Sequence, residues 1–382
     1  MRLIAIDYSE HVGQPQEWAL RGLTFGERTL LAGRNATGKS RALSVINALS
    51  ESLLGLRPLS LSGDFRCEFE EFGNTFEYSL LTKDMQVTEE RFFVNGQVKL
   101  VRGSGGIGRI YAETLKGDIE FQAPSFFLAA VARRDSIQHP FLDALHRWAS
   151  SVRYFQFGSE LGKRSVAFLV ENGPQVNDRD PNQIVGIFRK GRKEFSDAFV
   201  AAVVADMKAV GYDLTEIDVG SPISIQLQTV PNLPFRADPS VLIVKESDLP
   251  GFTDQFGMSQ GMFRVLALLI HVNYLSMIGA AGCIIIDDIG EGLDYERSCQ
   301  LINVLREKSL KSRVQLIFST NDRFVMNEVP LEEWAILIRE KNHVSVKNYE
   351  NSEKEFENLR FTGLSNFSLF ELGLLDGRVE GD

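Results

Sequence analysis

The octapeptide Gly33-Arg34-Asn35-Ala36-Thr37-Gly38-Lys39-Ser40 constrains this chain more than any other stretch. It fits G-x-x-x-x-G-K-[ST], a loop whose backbone N–H groups wrap around phosphate oxygens. Gly33 and Gly38 permit backbone angles and close approaches that a Cβ would block. In such a loop Lys39 sets a point charge on the β- and γ-phosphates, and the Ser40 hydroxyl ligates Mg²⁺. A nucleotide's phosphates and Mg²⁺ are therefore the expected ligands. Arg41, directly after the motif, is assigned to the same nucleotide-binding set. The short apolar run Arg28–Ala32 suits a buried strand feeding the loop. Ala42, Leu43, Ile46, Leu49 and Leu53 then recur at helical spacing. That order places the phosphates at a helix N-terminus, where orphan amides favour anions. An ordinary glycine turn before a helix is the plainer alternative, and the order of elements weighs against it.

A phosphate loop needs a carboxylate for the metal and a group that orders water. Cys283-Ile284-Ile285-Ile286-Asp287-Asp288 offers four largely apolar residues and then two acids, so both acids emerge at a strand's carboxyl end. Ligands bind there in open α/β sheets. Asp287 is expected to join Ser40 at Mg²⁺, and Asp288 to polarise the attacking water. A solvated acidic turn is the competing reading. Lys39 and Asp287 stand about 250 residues apart, far beyond the dozen or more that one crossover between parallel strands requires. Whole lobes must form between them.

Residues 1–32 read as strands, and the helix after Ser40 runs to about Leu54, before Gly55 and Pro58. From 65 to about 110, apolar and polar residues alternate, with Gly73-Asn74 and Asn95-Gly96 as turns, which predicts an inserted antiparallel sheet. Residues 124–157 mix helical pieces with aromatics, Phe141, Leu142, Leu145 and Trp148 sharing a face. Residues 172–180 read as loop, 184–210 as a long amphipathic helical stretch, and 214–230 and 241–245 as extended. An apolar helix over 263–278, a strand at 282–286, a helix at 296–308 and strands at 314–319, 334–339 and 344–347 complete the reading. The fold class expected is α/β, a mixed central sheet with an inserted antiparallel sheet and a helical lobe. Its parts are residues 1–120 (first half of the head), 121–250 (helical or accessory lobe), 251–350 (second half) and 351–382 (a docking tail). The aromatic density of the tail, including Phe361 and Phe367, is too high for a disordered segment; it packs on the head or docks a partner.

A net charge of −10 argues against a chain whose main task is coating nucleic acid, although it leaves room for a local basic strip. Arg189-Lys190-Gly191-Arg192-Lys193 is such a strip, weighed against a solvated helix face. Three widely spaced cysteines suit a reducing compartment, with Cys283 read as a core residue. The N-terminus turns acidic at Asp7, too soon for a signal peptide. No run approaches the ~20 apolar residues of a membrane span. A soluble, cytoplasmic protein without membrane contact is expected.

The order of phosphate loop, inserted sheet, helical lobe, Ser-x-Gly helix start and apolar strand ending in two acids resembles the heads of ABC-type ATPases. That group includes the SMC, RecF and overcoming-lysogenization-defect (OLD) proteins. The resemblance covers residues 1 to about 347. Met258-Ser259-Gln260-Gly261 resembles the signature, whose serine and following amides bind the γ-phosphate of ATP held by a second subunit. The resemblance thus implies ATP as the nucleotide cofactor, roles for Ser259 and Gly261 and an ATP-linked homodimer; the plain reading of Ser259 is a helix cap. Gly292-Leu293-Asp294 matches the D-loop, which makes Asp294 an interface residue. Asn321 stands where the family usually has a switch histidine, and Asp288 where it usually has glutamate. Asn can hydrogen-bond but carries no proton, so both departures imply slow hydrolysis. Asn35 matches an Asn many such loops contain. Gln122 is weighed as the Q-loop glutamine against a surface residue.

The first functional reading is an ATPase that dimerises around ATP and drives or gates a separate effector, a nuclease or toxin, as in phage defence. The second is a RecF-like DNA-repair clamp. A small-molecule kinase is the third, and it has no use for Ser259. About three dozen residues follow the last expected strand, too few for a nuclease domain within this chain.

Overall fold

The computed structural model describes residues 1–168, 176–225, 238–279 and 282–375. The expected extended segment at 226–230, part of the expected loop at 172–180 and the end of the tail lie outside the described residues.

The chain opens with β1 (Arg2–Glu10), β2 (Trp18–Thr24) and β3 (Arg28–Ala32), followed by helix α1 (Lys39–Leu53). Six strands follow: β4 (Ser62–Glu71), β5 (Asn74–Lys83), β6 (Gln86–Val94), β7 (Gln97–Arg102), β8 (Ile107–Ala112) and β9 (Gly117–Gln122). Then come α2 (Ala129–Ala132), α3 (Phe141–Ser151), β10 (Val152–Gln156), β11 (Ala167–Phe168), α4 (Ile184–Ala209), β12 (Leu214–Gly220), β13 (Pro239–Glu246) and β14 (Phe252–Asp254). The second half holds α5 (Gln260–Met277), β15 (Cys283–Asp287), α6 (Tyr295–Ser312), β16 (Gln315–Ser319), α7 (Arg323–Glu328), β17 (Trp334–Glu340), β18 (His343–Asn348), α8 (Tyr349–Arg360) and α9 (Asn366–Glu371).

Fourteen of these strands form one mixed sheet in the order β10-β15-β16-β3-β17-β18-β2-β1-β4-β5-β6-β7-β8-β9. The neighbours from β10 through β17 are parallel. Parallel strands covered on both faces read as continuous apolar runs, which is why Cys283 to Ile286 does not alternate. Ile284 and Ile286 enter the core built with α4, α5 and α6. Cys283 and Ile285 enter the opposite core, with Ala42, Ile46 and Leu49 of α1 and Trp148 of α3. Burial pushes the Cys283 thiol up to about 12, as suits a core residue.

The inserted antiparallel strands do not form a separate sheet: β4 pairs with β1, so they extend the central one. The lobe from 121 to 250 combines helices with strands, among them the segments expected to be extended near 214 and 241. It gives β10 to the central sheet, and β11, β12 and β13, with β14 paired to β13, form a second antiparallel sheet. Helix α4 breaks at Ser196 (φ 54°, ψ −143°), which brings Phe188 and Phe199 to 5.8 Å between ring centroids. The tail packs on the head: Phe356, Leu369, Phe370 and Leu375 are buried, and Asn366 Nδ2 donates to the Val329 carbonyl at 2.8 Å.

Candidate nucleotide site

Residues 33–38 connect β3 to α1 at the carboxyl edge of the parallel strands. Gly38 has φ 107°, and a Cβ there would lie 3.1 Å from the Trp18 ring. Glycine is therefore required twice, for the angle and for the close approach. Ala36 adopts a positive φ of 64°, and its carbonyl accepts from Arg339 Nη1 at 2.9 Å. Thr37 Oγ1 donates to the Arg34 carbonyl at 2.9 Å, closing the loop around Asn35. Lys39 is buried, and its Nζ donates to the carbonyls of Gly33 (2.7 Å) and Arg34 (3.3 Å). Burial pulls its pKa down, against the attraction of Asp288 and Asp287.

The acids expected from sequence meet this loop. Ser40 Oγ donates to Asp287 Oδ1 at 3.0 Å across 247 residues of sequence. Ser319 Oγ, at the end of β16, donates to the same oxygen at 2.6 Å and accepts from the Asp288 N–H at 3.0 Å. Asn321 Nδ2 donates to Asp288 Oδ1 at 3.1 Å. Asp288 is half-buried in the left-handed region (φ 54°), where Asp is tolerated better than most residues. Burial, then the neighbouring Asp287, raise its pKa, with Lys39 opposing. Lys39, Ser40, Asp287, Asp288 and Asn321 are thus brought together, and Ser319 is a contributor that sequence reading missed. The hard oxygens of Ser40 and Asp287 fit Mg²⁺, which typically takes one or two protein ligands alongside phosphate and water.

A second cluster gathers at the start of α5. Ser259 is exposed and caps the helix, its hydroxyl accepting from the Met262 N–H at 3.2 Å. A Cβ at Gly261 would lie 2.9 Å from Leu293 Cδ2 and 3.2 Å from the Gly292 carbonyl, so glycine lets the 292–294 turn seat against the helix. Asp294 caps α6 and pairs with Arg297. Arg264 joins these parts: its guanidinium donates to the carbonyls of Ser159 (2.8 Å), Gly158 and Glu291 (3.1 Å).

Gln122, weighed as the Q-loop residue against a surface residue, is exposed on β9 at the end of the sheet opposite β10 and β15, as the surface reading has it. Gln156 ends β10 in register with Asp287, and the following Phe157 N–H donates to the Asp287 carbonyl at 2.9 Å. The sequence marks the start of this strand only slightly, because α3 passes into β10 at Val152 with no Gly or Pro between them.

The basic strip on α4 is partly neutralised: Lys190 pairs with Asp178 at 3.7 Å and Arg192 with Asp218. Among the described residues no group of three or more His, Cys, Asp or Glu side chains is placed to hold a metal, and no helix is long and apolar enough to cross a membrane.

No protein-family model matches the chain, and no curated protein matches it. Solved structures do. The architecture, with the phosphate loop and the acidic strand end meeting across one mixed sheet, is that of the ABC-type ATPase fold. Within that class the chain is similar to an SMC head bound to the C-winged helix domain of ScpA, at 13% sequence identity and a TM-score of 0.53 over 93% of this chain and 100% of that one. It is also similar to the SMC head domain from Thermotoga maritima, at 15% identity and a TM-score of 0.47 over 91% of this chain and 99% of that one.

Proposed function

We propose that the chain is a Mg²⁺-dependent ATPase head that dimerises around ATP and regulates a separate effector protein. The carrying observation is the Ser40–Asp287 hydrogen bond beside Lys39, which joins the two halves of a phosphate site from opposite ends of the sequence. Lys39 would exchange its bonds to the Gly33 and Arg34 carbonyls for phosphate oxygens. Ser40 and Asp287 would hold Mg²⁺, which when bound supplies neutralisation of charge on the β- and γ-oxygens. Asp288 would orient the attacking water, with Asn321 fixing its carboxylate. Ser259, Gly261 and Asp294 gather at the start of α5 and the 292–294 turn, and the reading gives them to a second copy's ATP. That assignment rests on the Ser-x-Gly cap and the Gly261–Gly292 contact.

The chain's departures from the usual residues, Asp288 and Asn321, support slow turnover, which suits timing more than work. A nuclease or toxin as effector, and phage defence as the setting, extend this reading from the resemblance alone. The DNA-clamp alternative loses ground because Lys190 and Arg192 already face acids. ATP turnover tests the proposal. Lys39→Ala is expected to abolish ATP binding, and Asp288→Asn to keep binding while lowering kcat by about 10²–10⁴. Parental turnover by Asp288→Asn would contradict the role given to that carboxylate.

A further inference from the structure

The first turn of α1 carries a feature that phosphate binding does not use. Arg41 follows Ser40 directly, at a helix N-terminus where the macrodipole disfavours a cation. Its guanidinium lies over the Trp18 ring, 4.4 Å from the centroid, and pairs with Glu10. Glu10 is held in turn by the Tyr8 hydroxyl, which donates to Oε2 at 2.8 Å. Trp18 opens β2 and Glu10 closes β1, and the two are paired in register. Trp18 is only 1% exposed, so the indole offers no face to a ligand. The Arg41 side chain is 44% exposed, so one side of the guanidinium rests on the indole while the group remains open to solvent.

The sheet order gives this group a direction. The acid-bearing β15 and the adjacent β16 lie on one side of β3, while β17, β18, β2 and β1 lie on the other, and the Trp18 ring packs against Gly38 of the loop. A triphosphate with its terminal phosphate against Lys39 and Asp287 would extend its nucleoside end past Gly38 toward Trp18 and Glu10. A planar, delocalised cation stacks on aromatic faces, and here one aromatic face is already beneath it.

We propose that Arg41, laid on Trp18 and tethered by Glu10, is the platform on which the nucleobase stacks, so that it selects a nucleoside triphosphate over a bare polyphosphate. The inference rests on the reading of residues 33–40 as a triphosphate cradle. Glu10 fixes the guanidinium in its plane, so the platform exists before the nucleotide arrives and little side-chain freedom is lost on binding.

Calorimetric titration of the full chain in Mg²⁺ buffer with ATP and with inorganic tripolyphosphate tests this. Arg41→Ala is expected to weaken ATP about tenfold while moving tripolyphosphate by less than about twofold. Arg41→Lys, which keeps the charge but not the planar face, should lose ATP affinity to a similar degree. Equal losses for both ligands, restored by Lys, would overturn the platform in favour of a phosphate contact. So would unchanged ATP affinity. A parental chain that binds tripolyphosphate as tightly as ATP would remove the platform and leave the phosphate cradle standing. Failure of the parental chain to bind either ligand would overturn both.

Discussion

At the residue scale the proposed function turns on Asp288 as the group that orients the attacking water. Its carboxyl is held above the ordinary aspartate range by burial and by Asp287, while the Asn321 amide donates to it. A hydrogen bond to the ionised form favours that form. Only the ionised carboxylate can polarise water, so turnover should fall as pH drops through the raised pKa. Asn321→Ala removes a donor to the carboxylate, which moves the acid limb of kcat/KM to higher pH and lowers kcat about tenfold. A pH–rate profile checks this; an acid limb that stays in place would mean Asn321 does not act through Asp288. Most of this cluster was legible in the sequence, because the phosphate loop and the paired acids have fixed chemistry at fixed positions. Ser319 was not: a serine ending an apolar strand signals nothing until Asp287 Oδ1 is seen 2.6 Å away.

At the scale of elements, the extended sheet is locked to the helices by a buried ion pair. Arg102 of β7 and Glu90 of β6, both fully buried, lie 3.6 Å apart. Arg102 donates to the carbonyls of Phe127 (2.5 Å), Pro124 (2.7 Å) and Ala123 (3.2 Å), and Glu90 accepts from the Ala129 and Ala130 N–H groups at the start of α2. Removing one partner strands the other charge in the core. Arg102→Ala should therefore destabilise the chain by about 3–5 kcal/mol, read from denaturant unfolding. A loss below about 1 kcal/mol would show that the pair is solvated. The sequence signalled these strands through alternation and Asn-Gly turns, but no sequence pattern says that β4 joins β1. That pairing is long-range, as is the placement of β10 beside β15, so no local pattern sets Gln156 opposite Asp287. The break at Ser196 escaped for a related reason: periodicity on both sides of it is helical, and Gly191, whose missing Cβ makes room for the Phe199 ring, reads in sequence as part of the basic strip.

At the scale of the whole molecule, the candidate residues fall into two clusters. Lys39, Ser40, Asp287 and Asp288 gather at one cluster, and Ser259, Gly261 and Asp294 at another, joined to the loop at 158–159 through Arg264. On the proposed reading the second cluster serves a partner copy. Mixing Lys39→Ala with Ser259→Arg chains should then regenerate one intact composite site per heterodimer, and with it up to half of the parental ATP turnover. No recovery in proven heterodimers would count against a shared site. The overall layout was readable from the order of motifs along the chain. The tail's packing was not, since its aromatic residues fit a core and a docking surface equally well until Phe370 is found 6.3 Å from Trp334.

The most direct measurement is sedimentation of the Asp288→Asn chain with Mg²⁺, with and without saturating ATP. The proposed coupling of nucleotide binding to self-association predicts a monomer alone and a dimer with two bound ATP molecules, and the dimer should vanish when Lys39→Ala is added. A chain that binds ATP fully and still sediments as a monomer would contradict it.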